Sequence, residues 1–220
     1  MKTKILTLVI CLIFNFNSRS LFSSNILTES NIYSVVMLPK PPPVKIQIAI
    51  LFDTSNSMDG LIDQAKSRIW KIVNEMTNLT YNGQTPDIEF ALYDYGNQSL
   101  SSSSNFIRQQ TPFTTDLDFL SQKLFALRTN GGDEFCGAVI ERSIMDLGWS
   151  FNDSDLKMIY IAGNEPFNQG PVDYKSVCKI ASSKNIFVNT IFCGPYDLGV
   201  QTFWKDGSDC SGGDYFNINS

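Results

Sequence analysis

Asp53, Ser55 and Ser57 place one carboxylate and two hydroxyls on alternate residues, and all three are oxygen donors. Hard divalent cations such as Mg2+ take about six oxygen ligands and accept neutral hydroxyls and waters among them, so this D-x-S-x-S could hold such an ion. Asp and Ser also cap helices, and the spacing alone leaves both readings open. Other chemistry is closed off by the absence of histidine, which removes Ser-His-Asp and Cys-His catalysis, H-E-x-x-H sites and histidine-ligated zinc. Any metal must be held by oxygen or thiolate.

The elements around the motif favour a ligand site. Residues 46–52 (IQIAILF) form an apolar run fit for a central parallel strand buried on both faces. After the motif, Leu61, Ile62, Ala65, Ile69, Ile72, Val73 and Met76 recur at helical steps. A strand feeding an amphipathic helix is the opening unit of a doubly wound α/β fold, and such sheets bind ligands beyond the carboxyl ends of their strands. Strands are further predicted at 88–95, 106–108, 156–162, 186–192 and 215–218. Helices are predicted at 115–127, 135–147, 172–182 and 198–204, with 100–105 (LSSSSN) as a surface loop.

Over residues 45–220 the chain resembles the von Willebrand factor type A family. The resemblance runs in order through FDTSNSM, FALYDYG, LRTNGGDEFCGAVI, IYIAGNEP and GGDYFNI. It implies an α/β fold with a mainly parallel six-stranded sheet, one antiparallel edge strand and helices on both faces. It also implies a metal-ion-dependent adhesion site in which Ser55 and Ser57 ligate directly and Asp53 acts through water. The cofactor implied is Mg2+, with Mn2+ or Ca2+ as substitutes. Family domains usually close with a C-terminal helix after the last strand, and here no helical pattern follows 215–218.

Two positions depart from the family pattern. After Gly131 and Gly132 the family has threonine where this chain has Glu134, and after the strand at 156–162 it has aspartate where this chain reads Gly163, Asn164, Glu165. One carboxylate is lost and one gained, so the charge around a divalent ion is kept. The expected metal set is therefore Asp53, Ser55, Ser57, Glu134 and Asn164, with Glu165 as an alternative to Asn164. A carboxylate at Glu134 would weaken the ion as a Lewis acid and so weaken capture of acidic partners. The competing reading is a degenerate site in which Glu134 caps its helix.

Composition bounds the rest. The chain has 17 basic against 22 acidic residues, a net charge of −5, which disfavours phosphate backbones and hence nucleic acid as a partner. Lys2 and Lys4 precede an apolar run from Ile5 to Phe14 and then small residues, the order of a secretory signal peptide over residues 1–24. The run is too short to span a bilayer, and no membrane span is expected in the mature chain. Removing residues 1–24 takes the net charge from −5 to −8 and leaves four cysteines, Cys136, Cys178, Cys193 and Cys210. Up to two disulfides or four free thiols fit that number, with connectivity open. Residues 25–44, ending in Pro41, Pro42 and Pro43, read as a proline-rich linker before a domain at 45–220. Asn78, Asn97 and Asn152 begin tripeptides that fit N-glycosylation acceptors. Asp94, Asp116, Asp118, Asp153 and Asp155 read as surface or helix-capping acids.

The expectation is a non-enzymatic binding module, secreted, periplasmic or on the cell surface, that engages a protein ligand through one of its acidic side chains. A metal-independent structural or assembly domain is the alternative. A hydrolase or phosphotransferase is weaker still: a haloacid-dehalogenase-type motif needs an acid where Ser55 stands, and neither a Walker loop nor G-x-S-x-G occurs.

Overall fold

The computed structural model describes residues 44–80 and 84–218. The expected export signal and the linker as far as residue 43 lie outside the described residues. Six strands form one sheet in the order β3-β2-β1-β4-β5-β6, all parallel except β3. The mainly parallel sheet of the α/β reading is thus present.

β1 (Lys45–Asp53) lies at the centre between β2 (Asp87–Tyr95) and β4 (Leu156–Gly163). Its residues are buried from Ile46 onward, as a strand covered on both faces requires. One face carries Ile48, Ile50, Phe90, Tyr160 and Ile191 against Ile69, Val73 and Met76 of α1 (Ile62–Met76). The other face, with Ala49, Leu51, Tyr93, Tyr95, Ile159 and Ile161, packs on α3 (Cys136–Asp146), α4 (Tyr174–Ser183) and the buried indole of Trp204.

The edge strand β3 (Ile107–Thr114) is longer than the expected 106–108. Only Ile107 and Thr111 of this strand are fully buried, so the polar run Arg108, Gln109, Gln110 masks it in any search for apolar runs. Pro112 is tolerated because an edge strand need not donate on its outer side. α2 (Leu117–Ala126) begins where Asp116 accepts the Phe119 amide at 2.9 Å, the capping role expected of that acid.

After β5 (Ile186–Cys193) the single helix expected at 198–204 is two short helices, α5 (Tyr196–Gln201) and α6 (Trp204–Asp209), broken at Phe203 with φ +69°. β6 (Tyr215–Ile218) is the last described element. One disulfide joins Cys178 of α4 to Cys210, while Cys136 and Cys193 are free and buried. Among the described residues no helix is long and apolar enough to cross a membrane.

Candidate metal centre

From β1 the chain runs to β2 on one side and later returns as β4 on the other, so the β1–β4 boundary is the topological switch point of the sheet. In open α/β sheets such a point, beyond the strand ends, is where ligands bind. Asp53 is the last residue of β1 and pairs in register with Tyr95, the last of β2. Gly163 closes β4 on the other side.

Past Asp53 the chain turns sharply and enters a 3-10 turn at Asn56–Met58. Asp53 Oδ1 accepts the Ser55 amide at 2.8 Å, which folds the motif back on itself. The hydroxyl oxygens of Ser55 and Ser57 then stand 2.8 Å apart. Ser57 Oγ donates to Asn164 Oδ1 at 2.7 Å, and Asn164 Nδ2 donates to the Ser57 carbonyl at 2.8 Å. Ser55 has no cap bond to the turn it precedes, so capping does not account for this serine.

Glu134 arrives from the loop before α3, with its side chain buried. Gly96, at φ +74°, makes room for it: a Cβ there would stand 3.0 Å from Asp53 Oδ1, 3.0 Å from Glu134 Cγ and 3.5 Å from Ser55 Cβ. Gly132 lets the loop pass, since a Cβ on it would lie 2.3 Å from the Gly96 carbonyl oxygen. Asp53, Ser55, Ser57, Glu134 and Asn164 therefore meet at one rim, and Glu134 does not point away into water.

The electrostatics are those of buried like charges. Burial pushes the Asp53 carboxyl up to about 7, the Ser55 amide and hydroxyl oppose the shift, and Glu134 and Glu165 add to it. Burial likewise raises Glu134, again opposed by Ser55 and reinforced by Glu165. Asp53 Oδ2 is buried with no hydrogen-bond partner. An unpartnered buried carboxylate oxygen is costly, and a cation or its water shell would satisfy it.

The donor set fits a small hard cation. Two adjacent ligands on an octahedral ion at about 2.0 to 2.1 Å stand roughly 2.9 Å apart, close to the separation of the two serine hydroxyls. Among the described residues no three His, Cys, Asp or Glu side chains form a metal-ligand group. The rim offers two carboxylates, two hydroxyls and an amide, which suits Mg2+ better than zinc.

Neighbouring residues outside the expected set hold the loops. Asn97 is buried and its Nδ2 donates to Arg128 O at 3.1 Å and toward Thr54 Oγ1 at 3.4 Å. The Asn130 amide donates to the Thr54 carbonyl at 3.0 Å. Asn97 is thus a structural strut, not the exposed glycan acceptor its tripeptide suggests. Asp94, expected at the surface, is also buried and accepts from Arg108 and Gln110.

No protein-family model matches the chain, and no curated protein matches it by sequence. Solved structures do match in fold. The SpRpn10 VWA domain superposes with TM-score 0.57 at 15% identity over 79% of this chain and 87% of its own. The chain has a von Willebrand factor type A fold. BatB from Bacteroides thetaiotaomicron gives this vWA fold a TM-score of 0.59 at 16% identity, over 80% of this chain and 91% of BatB. Proximal thread matrix protein 1 from the mussel byssus, in a structure with a zinc-occupied MIDAS motif, gives TM-score 0.57 at 10% identity. There the match covers 80% of this chain and 42% of the mussel protein. In the vWA fold the rim at Asp53, Ser55 and Ser57 lies at the carboxyl end of the central strand.

Proposed function

We propose that this vWA-fold protein is an extracytoplasmic binding module that holds a divalent cation at the Asp53 rim and captures an acidic side chain of a protein partner. The observation that carries this reading is the convergence of the Ser55 and Ser57 hydroxyls, 2.8 Å apart, beside a buried Asp53 oxygen with no partner. The zinc-occupied MIDAS motif of the mussel protein lends support, because that protein shares the fold.

The cation would be Mg2+ or Mn2+, and when bound it would supply an open coordination position to a carboxylate. Ser55 and Ser57 would hold it directly. Asp53, with its free Oδ2, would orient a bound water, and Glu134 would balance its charge. Asn164 positions Ser57 through the paired hydrogen bonds between them.

The hydrogen bonds among Ser55, Ser57 and Asn164 favour a second reading, a metal-independent assembly domain, because the hydroxyls are satisfied without an ion. Isothermal titration of the full chain with Mg2+ and Mn2+, beside Asp53→Ala, separates the two. Saturable binding that Asp53→Ala removes is expected. Failure of both ions to bind the intact chain would leave the assembly reading.

A further inference from the structure

We infer that the polar cavity beside β3 and the end of α2 binds a phosphate or sulfate monoester carried on a small polar body. The cavity has a volume of about 460 Å3, within the roughly 300 to 1,000 Å3 usual for small-molecule sites. Its charged lining is Arg108, Lys123 and Arg128, with no acid among the lining residues. This is a local reversal of sign in a chain with 22 acids against 17 bases.

The three cations are unequal, and their commitments define the site. Arg108 is held rigid by Asp94, its Nε at 3.0 Å and its Nη2 at 2.7 Å, which leaves Nη1 to donate. Arg128 Nη1 is anchored on the carbonyls of Phe125 and Leu127 at 2.9 and 2.8 Å, leaving Nε and Nη2. Among the described residues neither Arg128 nor Lys123 has an acid within ion-pair distance. Behind the wall, the buried Lys66 ammonium donates to the Leu127 carbonyl at 2.7 Å and pairs with Asp63 at 3.4 Å, which fixes the end of α2 that carries Leu127.

The open Nε/Nη2 fork of Arg128 suits a tetrahedral oxyanion, which accepts two parallel N–H bonds from it, while Arg108 Nη1 adds a single donor. Gln110, Asn130 and Ser99 also line the cavity and match a hydroxylated body such as a sugar. Asn97 forms the wall shared with the Thr54 loop. The site nevertheless needs no metal and stands apart from the reading of the Asp53 rim.

The test is isothermal titration of the full chain in EDTA at low ionic strength, with glucose 6-phosphate, glucose 6-sulfate, inorganic phosphate, citrate and glucose as probes. At least one ester should saturate one site per chain, and glucose should not bind. Tighter binding of the phosphate ester would mark a phosphorylated ligand, and tighter binding of the sulfate ester a sulfated one. The exposed pair Lys123→Gln with Arg128→Gln should weaken the ester by about tenfold or more, the scale of lost charge-assisted hydrogen bonds. Asp53→Asn should leave it unchanged. Absence of saturable ester binding would overturn the inference. So would undiminished binding by the double variant with its melting temperature intact, or citrate or inorganic phosphate binding as tightly as either ester.

Discussion

Ser57 and Asn164, 107 residues apart in sequence, close on each other through two hydrogen bonds of 2.7 and 2.8 Å. That pair ties the loop after β1 to the loop after β4 across the switch point of the sheet. It sets where the second serine hydroxyl stands relative to the first.

Asn164→Asp separates holding the loop from holding an ion. The carboxylate loses the bond from Nδ2 to the Ser57 carbonyl and adds charge beside Asp53 and Glu134. In EDTA the variant should be less stable by about 1 kcal/mol, the usual worth of one hydrogen bond. Its Mg2+ affinity should rise. Urea denaturation with and without Mg2+ checks both, and a variant equally destabilised under the two conditions would contradict the metal role.

The buried acid at Asp53 predicts a pH signature. Its carboxyl is held up to about 7 against an ordinary value of 3.8, so between these limits the folded chain keeps a proton that the unfolded chain has lost. This group's contribution is fully favourable below the lower limit and is lost as pH rises through the upper one. In EDTA, Asp53→Asn should therefore gain stability over the unaltered chain across that window, as followed by denaturation at a series of pH values. Mg2+ must displace the same proton, so affinity should climb with pH and level off above about 7. A stability difference that does not vary with pH would refute the assignment.

Gly96→Ala tests the crowding around both carboxyl groups. A Cβ there meets Asp53 Oδ1 and Glu134 Cγ at 3.0 Å on a backbone with φ +74°. The positive φ alone should cost about 1 to 3 kcal/mol, and displaced carboxylates should lower Mn2+ affinity as well. Gly148→Ala, where a Cβ meets nothing within 4 Å, should change neither. Equal effects from the two substitutions, by denaturation and Mn2+ titration, would count against the geometry.

The Cys178–Cys210 bridge closes a loop with a sequence separation of 32. Replacing both cysteines with serine should cost about 3 to 4 kcal/mol by loop entropy. Thiol labelling should find Cys136 and Cys193 reactive only after unfolding, since both are buried and free. Four labelled thiols in the native, unreduced chain would be the contrary result.

How legible each feature was depended on what its residues had to do. β1 was readable because a strand buried on both faces must be apolar throughout, whereas β3 hid behind the polar run Arg108, Gln109, Gln110. The break at Phe203 left no trace in apolar periodicity because a left-handed backbone there is a tertiary outcome. At the rim, Asp53, Ser55 and Ser57 announced themselves by alternation on one turn. Glu134 and Asn164 came only through spacing relative to a family pattern, since each reaches the rim from a distant loop. Asn97, Asp94 and Lys66 were missed because a polar residue gives no sign in sequence that its partners lie inside the molecule. The basic cavity was equally hidden, its arginines and lysine being spread from Arg108 to Arg128.

Whether the gathered oxygens hold a divalent ion is read directly by Mn2+ electron paramagnetic resonance. Free Mn2+ gives a six-line signal that fades as the ion is bound. Titration into the full chain should remove the signal to one equivalent, and Ser55→Ala with Ser57→Ala should restore it. A six-line signal undiminished by the unaltered chain, or removed equally by the double variant, would contradict the account.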